Sequence, residues 1–113
     1  MRFSLLLLLA LFSGSGSGSA FAFAADMPEL SLRIRDHKFV PAQLTVPANV
    51  KFKLIVINED PTPEEFESHE LNREKIVTGK GRITVFLGPL KPGRYPYFGE
   101  FHMQTAQGAL IAR

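Results

Sequence analysis

The residues best suited to chemistry are concentrated in two short segments. Residues 59–74 hold seven of the chain's 11 acidic residues against a single cation, Arg73. Residues 95–108 contain Glu100 and His102, which lie two positions apart and so point to the same side of an extended chain. Carboxylates this crowded repel one another unless they are solvated, paired or bound to a cation. The two segments therefore indicate either a solvated acidic surface or a cation site.

The absence of cysteine limits which chemistry is possible. With no Cys among its 113 residues, the chain has no disulfide, thiolate zinc site, cysteine nucleophile or cysteine-bound cluster. A type 1 blue-copper centre is excluded on the same ground, because it uses a thiolate ligand. No nucleotide-binding or serine-hydrolase motif is present. Because these catalytic motifs are missing, we do not expect an enzyme. A net charge of +2 provides no basic field for nucleic acid, so we do not expect a nucleic-acid-binding protein either.

The first 24 residues have the pattern of a cleavable export signal. Arg2 precedes an unbroken apolar run, Leu5 to Phe12, which is too short to span a bilayer. Small residues follow, and Ala22-x-Ala24 predicts cleavage after Ala24, with Ala25 as the alternative site. A membrane anchor that stays attached is the other interpretation. We expect one exported domain, residues 25–113, located in the periplasm.

The remaining sequence must position these groups, and it predicts short strands. Apolar and polar residues alternate, with turn residues every 8–12 positions, in segments 29–35, 43–46, 50–58, 82–87, 94–98 and 108–112. Segments 66–71 and 74–77 are compatible with either helix or strand. The pattern predicts an all-β chain, a small antiparallel β-sandwich or barrel of about seven strands. His37 is interpreted as a loop residue without a functional role.

The order of turn residues resembles the cupredoxin-like domain. The matching positions are Asn58-x-Asp60-x3-Glu64-x-Phe66 and Gly88-Pro-Leu-x-Pro-Gly93-x-Tyr95-x-x-Phe98-x3-His102-x5-Gly108. An upstream match is Phe39-x-Pro41 with Leu44-x-Val46-Pro47. The resemblance spans residues 29–113 and implies a Greek-key β-sandwich. Tyr95 suits a tyrosine that anchors its turn through a hydroxyl hydrogen bond.

The resemblance also implies which ligand positions are kept. Cupredoxins hold copper through a His after the third strand and through Cys, His and Met around the last turn. The first His position falls on Glu64 and the Cys position on Gly99. The last His is retained as His102, and the Met position falls on Gln107. The metal chemistry implied is therefore not that of a type 1 centre.

A narrower resemblance concerns the runs Pro63–Ser68 with Arg73–Lys75 and Gly99–His102 with Thr105–Gly108. These are similar to a periplasmic cupredoxin-like subgroup associated with bacterial high-affinity iron uptake. The similarity implies handling of ferrous iron or copper beside a membrane iron permease and other periplasmic components. Carboxylates in place of sulfur ligands suit harder ions such as ferrous iron.

The implied topology brings the loop after the third strand and the last turn to one end of the sandwich. We therefore expect a single metal site of His102, Glu100, Glu64 and Glu67. His69 and Met103 are peripheral candidates. Two alternatives remain: an interaction module that docks through the acidic segment 59–74, and a copper electron-transfer protein.

Overall fold

A computed structural model describes residues 27–113, and nine β-strands and one short 3₁₀ turn make up its regular structure. The elements are β1 (Glu29–Arg35), β2 (Lys38–Val40), β3 (Gln43–Val46), β4 (Phe52–Asn58), β5 (Glu64–Ser68), β6 (Arg73–Val77), β7 (Arg82–Leu87), β8 (Gly93–Phe98), the 3₁₀ turn (Glu100–His102) and β9 (Gln107–Ala112). The predicted export signal lies outside the described residues. Within them, none of the helical structure is long and apolar enough to cross a membrane.

The strands form two sheets. One has the order β2-β1-β4-β7 and the other the order β3-β9-β8-β5-β6. Most neighbouring strands are antiparallel, but β1 pairs with β4 and β3 pairs with β9 in parallel. The all-β sandwich is thus confirmed, with the correction that its sheets are mixed. Parallel neighbours need a connection that crosses the sandwich, which alternation within one strand cannot reveal.

The core lies between the two sheets. Alternate residues of β1 are buried, and β4 is buried along most of its length, as expected for a strand inside its sheet. Both sheets contribute apolar side chains to one cluster; among them are Leu32, Ile34, Leu54, Val56, Val85, Val46, Phe66, Val77, Tyr97 and Leu110. Burial of this cluster fixes which residues of each strand face inward, and hence which polar residues can share a side.

The structure has nine strands where the sequence predicted about seven. The first ambiguous segment, 66–71, is the end of β5 followed by a turn, and the second, 74–77, lies in β6. Strand β5 carries glutamates on both of its sides, which hides the apolar alternation that identifies a half-buried strand. Strand β2 is only three residues long, too short to show any period. The expected tyrosine anchor is confirmed, because the Tyr95 hydroxyl donates to the carbonyl oxygen of Lys91 at 2.7 Å.

Candidate metal centre

Three connections meet at one end of the sandwich. They are the β1–β2 hairpin turn, the β4–β5 connection that leads into Glu64, and the loop 99–106 between β8 and β9. The last of these is closed at its base by the Gly99 N–H, which donates to the Ala106 carbonyl at 2.9 Å. The expectation that the β4–β5 connection and the last turn lie together is confirmed by the contact between Glu64 and His102.

Glu64 is the buried centre of this end. The residue is only 1% exposed, because it opens β5 on the same side as the core residue Phe66. Its Oε2 lies 2.5 Å from Nδ1 of His102. Its Oε1 accepts hydrogen bonds from the backbone N–H groups of Phe101 and Glu65, at 3.1 and 3.0 Å. A buried carboxylate needs such partners, since desolvation without them is costly.

Gly99 leaves the space that the Glu64 carboxylate fills. A Cβ atom at Gly99 would lie 2.5 Å from Glu64 Oε1 and 2.9 Å from the Ala106 Cβ. The backbone of Gly99 is in the extended region, with φ −107° and ψ 114°, so glycine is not required by its dihedral angles. The absent side chain and the inserted carboxylate are therefore one structural feature: the Glu64 head group occupies the direction in which a residue 99 side chain would point.

His37 belongs to this centre, although the sequence analysis gave it no role. Its ring stacks on that of His102, with centroids 3.6 Å apart and planes at 12°. Ligand atoms of His37, Glu64 and His102 all lie within 4.8 Å of one another. In the sequence His37 is only a histidine in a polar turn, far from both acidic segments. Nothing in that pattern shows which loops the hairpin turn meets, so sequence reasoning missed it.

Asp60 holds the turn that presents His37. Asp36 and His37 both have positive φ, 53° and 59°, an uncommon conformation for residues other than glycine. The Asp60 carboxylate accepts from the N–H groups of both residues, each at 2.9 Å. Burial alone would raise the pKa of Asp60, but the hydrogen bonds from His37 and Asp36 outweigh it and lower the pKa. The ionised carboxylate is therefore the form that stabilises the turn.

This network predicts a pH-dependent stability. Because the folded-state pKa of Asp60 lies below its ordinary value of 3.8, its stabilisation is complete above that value. It is lost as the pH falls through the lower folded-state pKa. We expect the free energy of unfolding, measured in urea, to be lower for Asp60→Asn than for wild type at pH 6. The difference should shrink below about pH 4. A difference that is constant from pH 6 to pH 3 would contradict this role.

The centre is open to solvent on its histidine side. The side chains of His37 and His102 are 43% and 31% exposed, whereas that of Glu64 is 2% exposed. A cleft of about 450 Å³ is lined by both histidines and by Met103. Two imidazoles and a carboxylate supply nitrogen and oxygen donors, which suit divalent ions such as Cu²⁺, Fe²⁺ and Zn²⁺. The same set does not fit a type 1 copper centre, because no thiolate is present.

Glu67 and Glu100 lie in a second group of carboxylates. This group comprises Glu65, Glu67, Glu74 and Glu100, and we call it the four-glutamate cluster. The structure therefore places Glu67 and Glu100 in a different group from Glu64 and His102, which the sequence analysis had expected to share one site. Side chains alternate between the two sides of a strand, so Glu64 faces inward while Glu65 and Glu67 project from the other side of β5. Roles for Glu67 and Glu100 as metal ligands stay predictions.

The electrostatics of the four-glutamate cluster differ from those of Glu64. Burial, reinforced by the neighbouring carboxyl groups of Glu67, Glu74 and Glu100, raises the pKa of Glu65 to about 8. The shift has the direction expected where carboxyl groups are buried and crowded together without a cation beside them. Glu64, by contrast, has an imidazole and two backbone N–H groups within hydrogen-bonding distance.

The two peripheral candidates are placed differently. Met103 borders the cleft beside His37 and His102, and is 51% exposed. His69 instead packs near Phe98, with ring centroids 5.6 Å apart, and lines a different cleft of about 500 Å³ that Met103 also borders. His69 is not among the residues whose ligand atoms gather at either cluster of the described chain.

Comparison with proteins of known sequence shows a close relative. A protein of Rickettsia prowazekii (strain Madrid E), itself described as uncharacterized, is 54% identical over 83 residues. The match covers 74% of this chain and 66% of the relative, so the chain spans slightly less than two thirds of that protein's length. A family model described as the cupredoxin-like domain matches residues 3–112.

Solved structures show the same fold at low sequence identity. Auracyanin A, a "blue" copper protein from Chloroflexus aurantiacus, has a TM-score of 0.67 and 13% identity, covering 78% of this chain and all of that one. Amicyanin from Paracoccus versutus has a TM-score of 0.60 and 18% identity, covering 79% and 83%. The metal binding domain of the Cu(I)-exporting ATPase CopA of Streptococcus pneumoniae D39 has a TM-score of 0.66 and 13% identity, covering 75% and 84%. Since the family model covers nearly the whole sequence, this chain belongs to the cupredoxin-like domain family.

Proposed function

We propose that this protein is an exported metal-binding cupredoxin that holds a divalent ion through imidazole and carboxylate ligands instead of a thiolate. One observation carries the proposal: ligand atoms of His37, Glu64 and His102 lie within 4.8 Å of one another at the open end of the fold. The two histidines come from different connections, so folding alone brings them together. Copper proteins with the same fold support a bound metal.

The donor set supports Cu²⁺ or Fe²⁺ as the bound ion. Imidazole nitrogen suits both metals, and a carboxylate shifts the preference toward harder ions than a cysteine or methionine ligand would. Glu64 is buried and fixed by backbone hydrogen bonds, whereas the histidines face solvent. An ion can therefore reach the site from solvent and bind against an anchored carboxylate, an arrangement suited to binding and release. The role we propose is metal carriage, not catalysis.

The place of this activity in the cell is part of the proposal. The resemblance of the runs around Glu64 and His102 to a subgroup associated with iron uptake supports a role beside a membrane iron permease and other periplasmic components. The N-terminal apolar run and the Ala22-x-Ala24 pattern support export to the periplasm.

Docking through the acidic segment 59–74 as the main function has less support. Asp60, Glu64 and Glu65 are buried. Glu59 is paired with Arg33 and Arg35 at 2.6 and 2.7 Å. Few of the segment's carboxylates therefore face a partner, and the acidic residues serve the fold and the two clusters instead. Electron transfer through copper, the other alternative, would have to proceed without thiolate ligation.

Metal titration of the purified apoprotein tests the proposal. We expect Cu²⁺, and Fe²⁺ under anaerobic conditions, to bind one equivalent at the histidine site with a dissociation constant below about 100 μM. The Cu²⁺ form should show a weak visible band, because the intense absorption of type 1 centres arises from the thiolate. Failure of both ions to bind in this range would refute the proposal, as would binding that survives loss of His102.

A further inference from the structure

The four-glutamate cluster lies on the side of β5 opposite Glu64. Glu67 and Glu74 are direct partners in the register of β5 and β6, and Glu65 lies two residues from Glu67 on the same side. Glu100 approaches from the 3₁₀ turn, which contacts β5. One carboxylate oxygen from each of the four lies within 4.8 Å of the others. The topology thus gathers four carboxyl groups that the sequence spreads over 36 positions, from Glu65 to Glu100.

No basic side chain compensates these charges in the part of the chain that the structure describes. The ion pairs found there involve Glu29, Glu59, Asp60 and Glu64, and none reaches the four-glutamate cluster. Arg73 is adjacent to Glu74 in sequence, but its guanidinium donates to backbone carbonyls, including that of Phe86 at 3.0 Å. Like charges directly opposite each other on paired strands destabilise a sheet, so this arrangement is unfavourable unless something binds between the carboxylates.

Glu65 supplies an independent indication of a ligand. The residue is 5% exposed, and its Oε1 is buried without a hydrogen-bond partner. Oε1 of Glu67 is also buried and without a partner. Ionised carboxylates are acceptors only, so the members of the cluster cannot satisfy one another when all four are ionised. A buried acceptor without a partner is unfavourable, and more so when it is charged. What the cluster lacks is a proton or a cation.

We propose that the four-glutamate cluster binds one hard divalent cation of the Ca²⁺ or Mn²⁺ class. Its donors are carboxylate oxygens alone, the ligands that such ions prefer, whereas the histidine site offers imidazole nitrogen. Flexible coordination by several carboxylates suits Ca²⁺ in particular. The protein therefore carries two chemically distinct sites, on opposite sides of β5, and this second site does not depend on the proposed function of the first.

Titration with MnCl₂ and CaCl₂ tests the second site on the intact protein. We expect one Mn²⁺ per chain by electron paramagnetic resonance, and a melting temperature that rises with Ca²⁺ concentration because only the folded state binds. Glu74→Gln and Glu65→Gln should each weaken Mn²⁺ binding at least about tenfold, since affinity at oxygen sites follows the number of charged ligands. Both replacements keep the side-chain shape, and circular dichroism verifies that each variant folds.

Two control variants separate this site from its surroundings. Glu70→Gln removes an exposed charge from the same acidic segment and should leave Mn²⁺ affinity unchanged. His102→Ala should weaken Cu²⁺ binding but retain Mn²⁺ binding, which distinguishes failure of one site from failure of the other. The inference is overturned if neither Mn²⁺ nor Ca²⁺ binds up to about 10 mM, beyond the weakest range usual for calcium sites. Equal losses in Glu70→Gln and Glu74→Gln would also overturn it, since they would indicate diffuse surface attraction.

Discussion

Replacement of His102 by alanine is expected to lower the affinity of the apoprotein for Cu²⁺ at least about 100-fold. Changes to residues that merely support a metal ligand typically cost roughly 10–100-fold, and His102 is itself a proposed ligand. Its Nδ1 lies 2.5 Å from Glu64 Oε2, so the substitution removes an imidazole donor and leaves the buried carboxylate with backbone partners only. Isothermal titration calorimetry in a weakly coordinating buffer measures the change.

The chain offers a matched control for this substitution. His69 lies close to Phe98 and outside the His37–Glu64–His102 group, so His69→Ala should change Cu²⁺ affinity little. A second variant, His102→Gln, keeps a longer polar side chain and guards against loss of fold in the alanine variant. If His69→Ala and His102→Ala weaken binding equally, copper binds elsewhere on the surface and the proposed centre is wrong.

Replacement of Gly99 by alanine is expected to lower the free energy of unfolding by about 1–3 kcal/mol, in the range of overpacked cores. The added Cβ would lie 2.5 Å from Glu64 Oε1 and 2.9 Å from the Ala106 Cβ. Both distances are shorter than ordinary van der Waals contacts of a Cβ atom. Glu64 is buried, so its carboxylate cannot avoid the clash by turning into solvent. We expect the carboxylate instead to shift within the core and lose its contact with His102. We therefore expect metal affinity to fall together with stability.

Gly93 provides the comparison for Gly99. It lies in β8, and a Cβ there would meet its nearest neighbours at 3.8 and 3.9 Å, ordinary contact distances. Gly93→Ala should therefore change the free energy of unfolding by less than about 0.5 kcal/mol or stabilise slightly. Urea denaturation followed by far-ultraviolet circular dichroism measures both variants. Similar stability in the two would show that Glu64 does not require the space at residue 99.

The Gly99 and Glu64 pair suggests how this fold can bind metal without cysteine. The carboxylate enters the centre from the first residue of β5 and fills the direction of the missing side chain at residue 99. The result is a centre with one buried carboxylate and two partly exposed imidazoles. Because both the carboxylate of Glu64 and the position of His37 are set by hydrogen bonds from the backbone, the donors are held in place before an ion arrives.

Much of the fold and part of the candidate site could be predicted from residue order. Period-two alternation identified most strands, and the Pro92-Gly93-x-Tyr95 turn identified the tyrosine anchor, because both depend on neighbours a few residues apart. The proximity of Glu64 and His102 followed from the family resemblance. The strand β5 was ambiguous, since glutamates lie on both of its sides and hide the apolar alternation.

The sequence by itself limited the kind of chemistry: with no cysteine, thiolate ligation is excluded, and Glu64 and His102 are the oxygen and nitrogen donors that it points to. Only the tertiary structure decided which groups share a site. It added His37 through a hairpin turn held by Asp60, and it separated Glu64 from Glu65 and Glu67 across the two sides of one strand. The physical reason is that strand pairing and sheet packing bring distant segments together, while the alternation within a strand drives neighbouring residues apart.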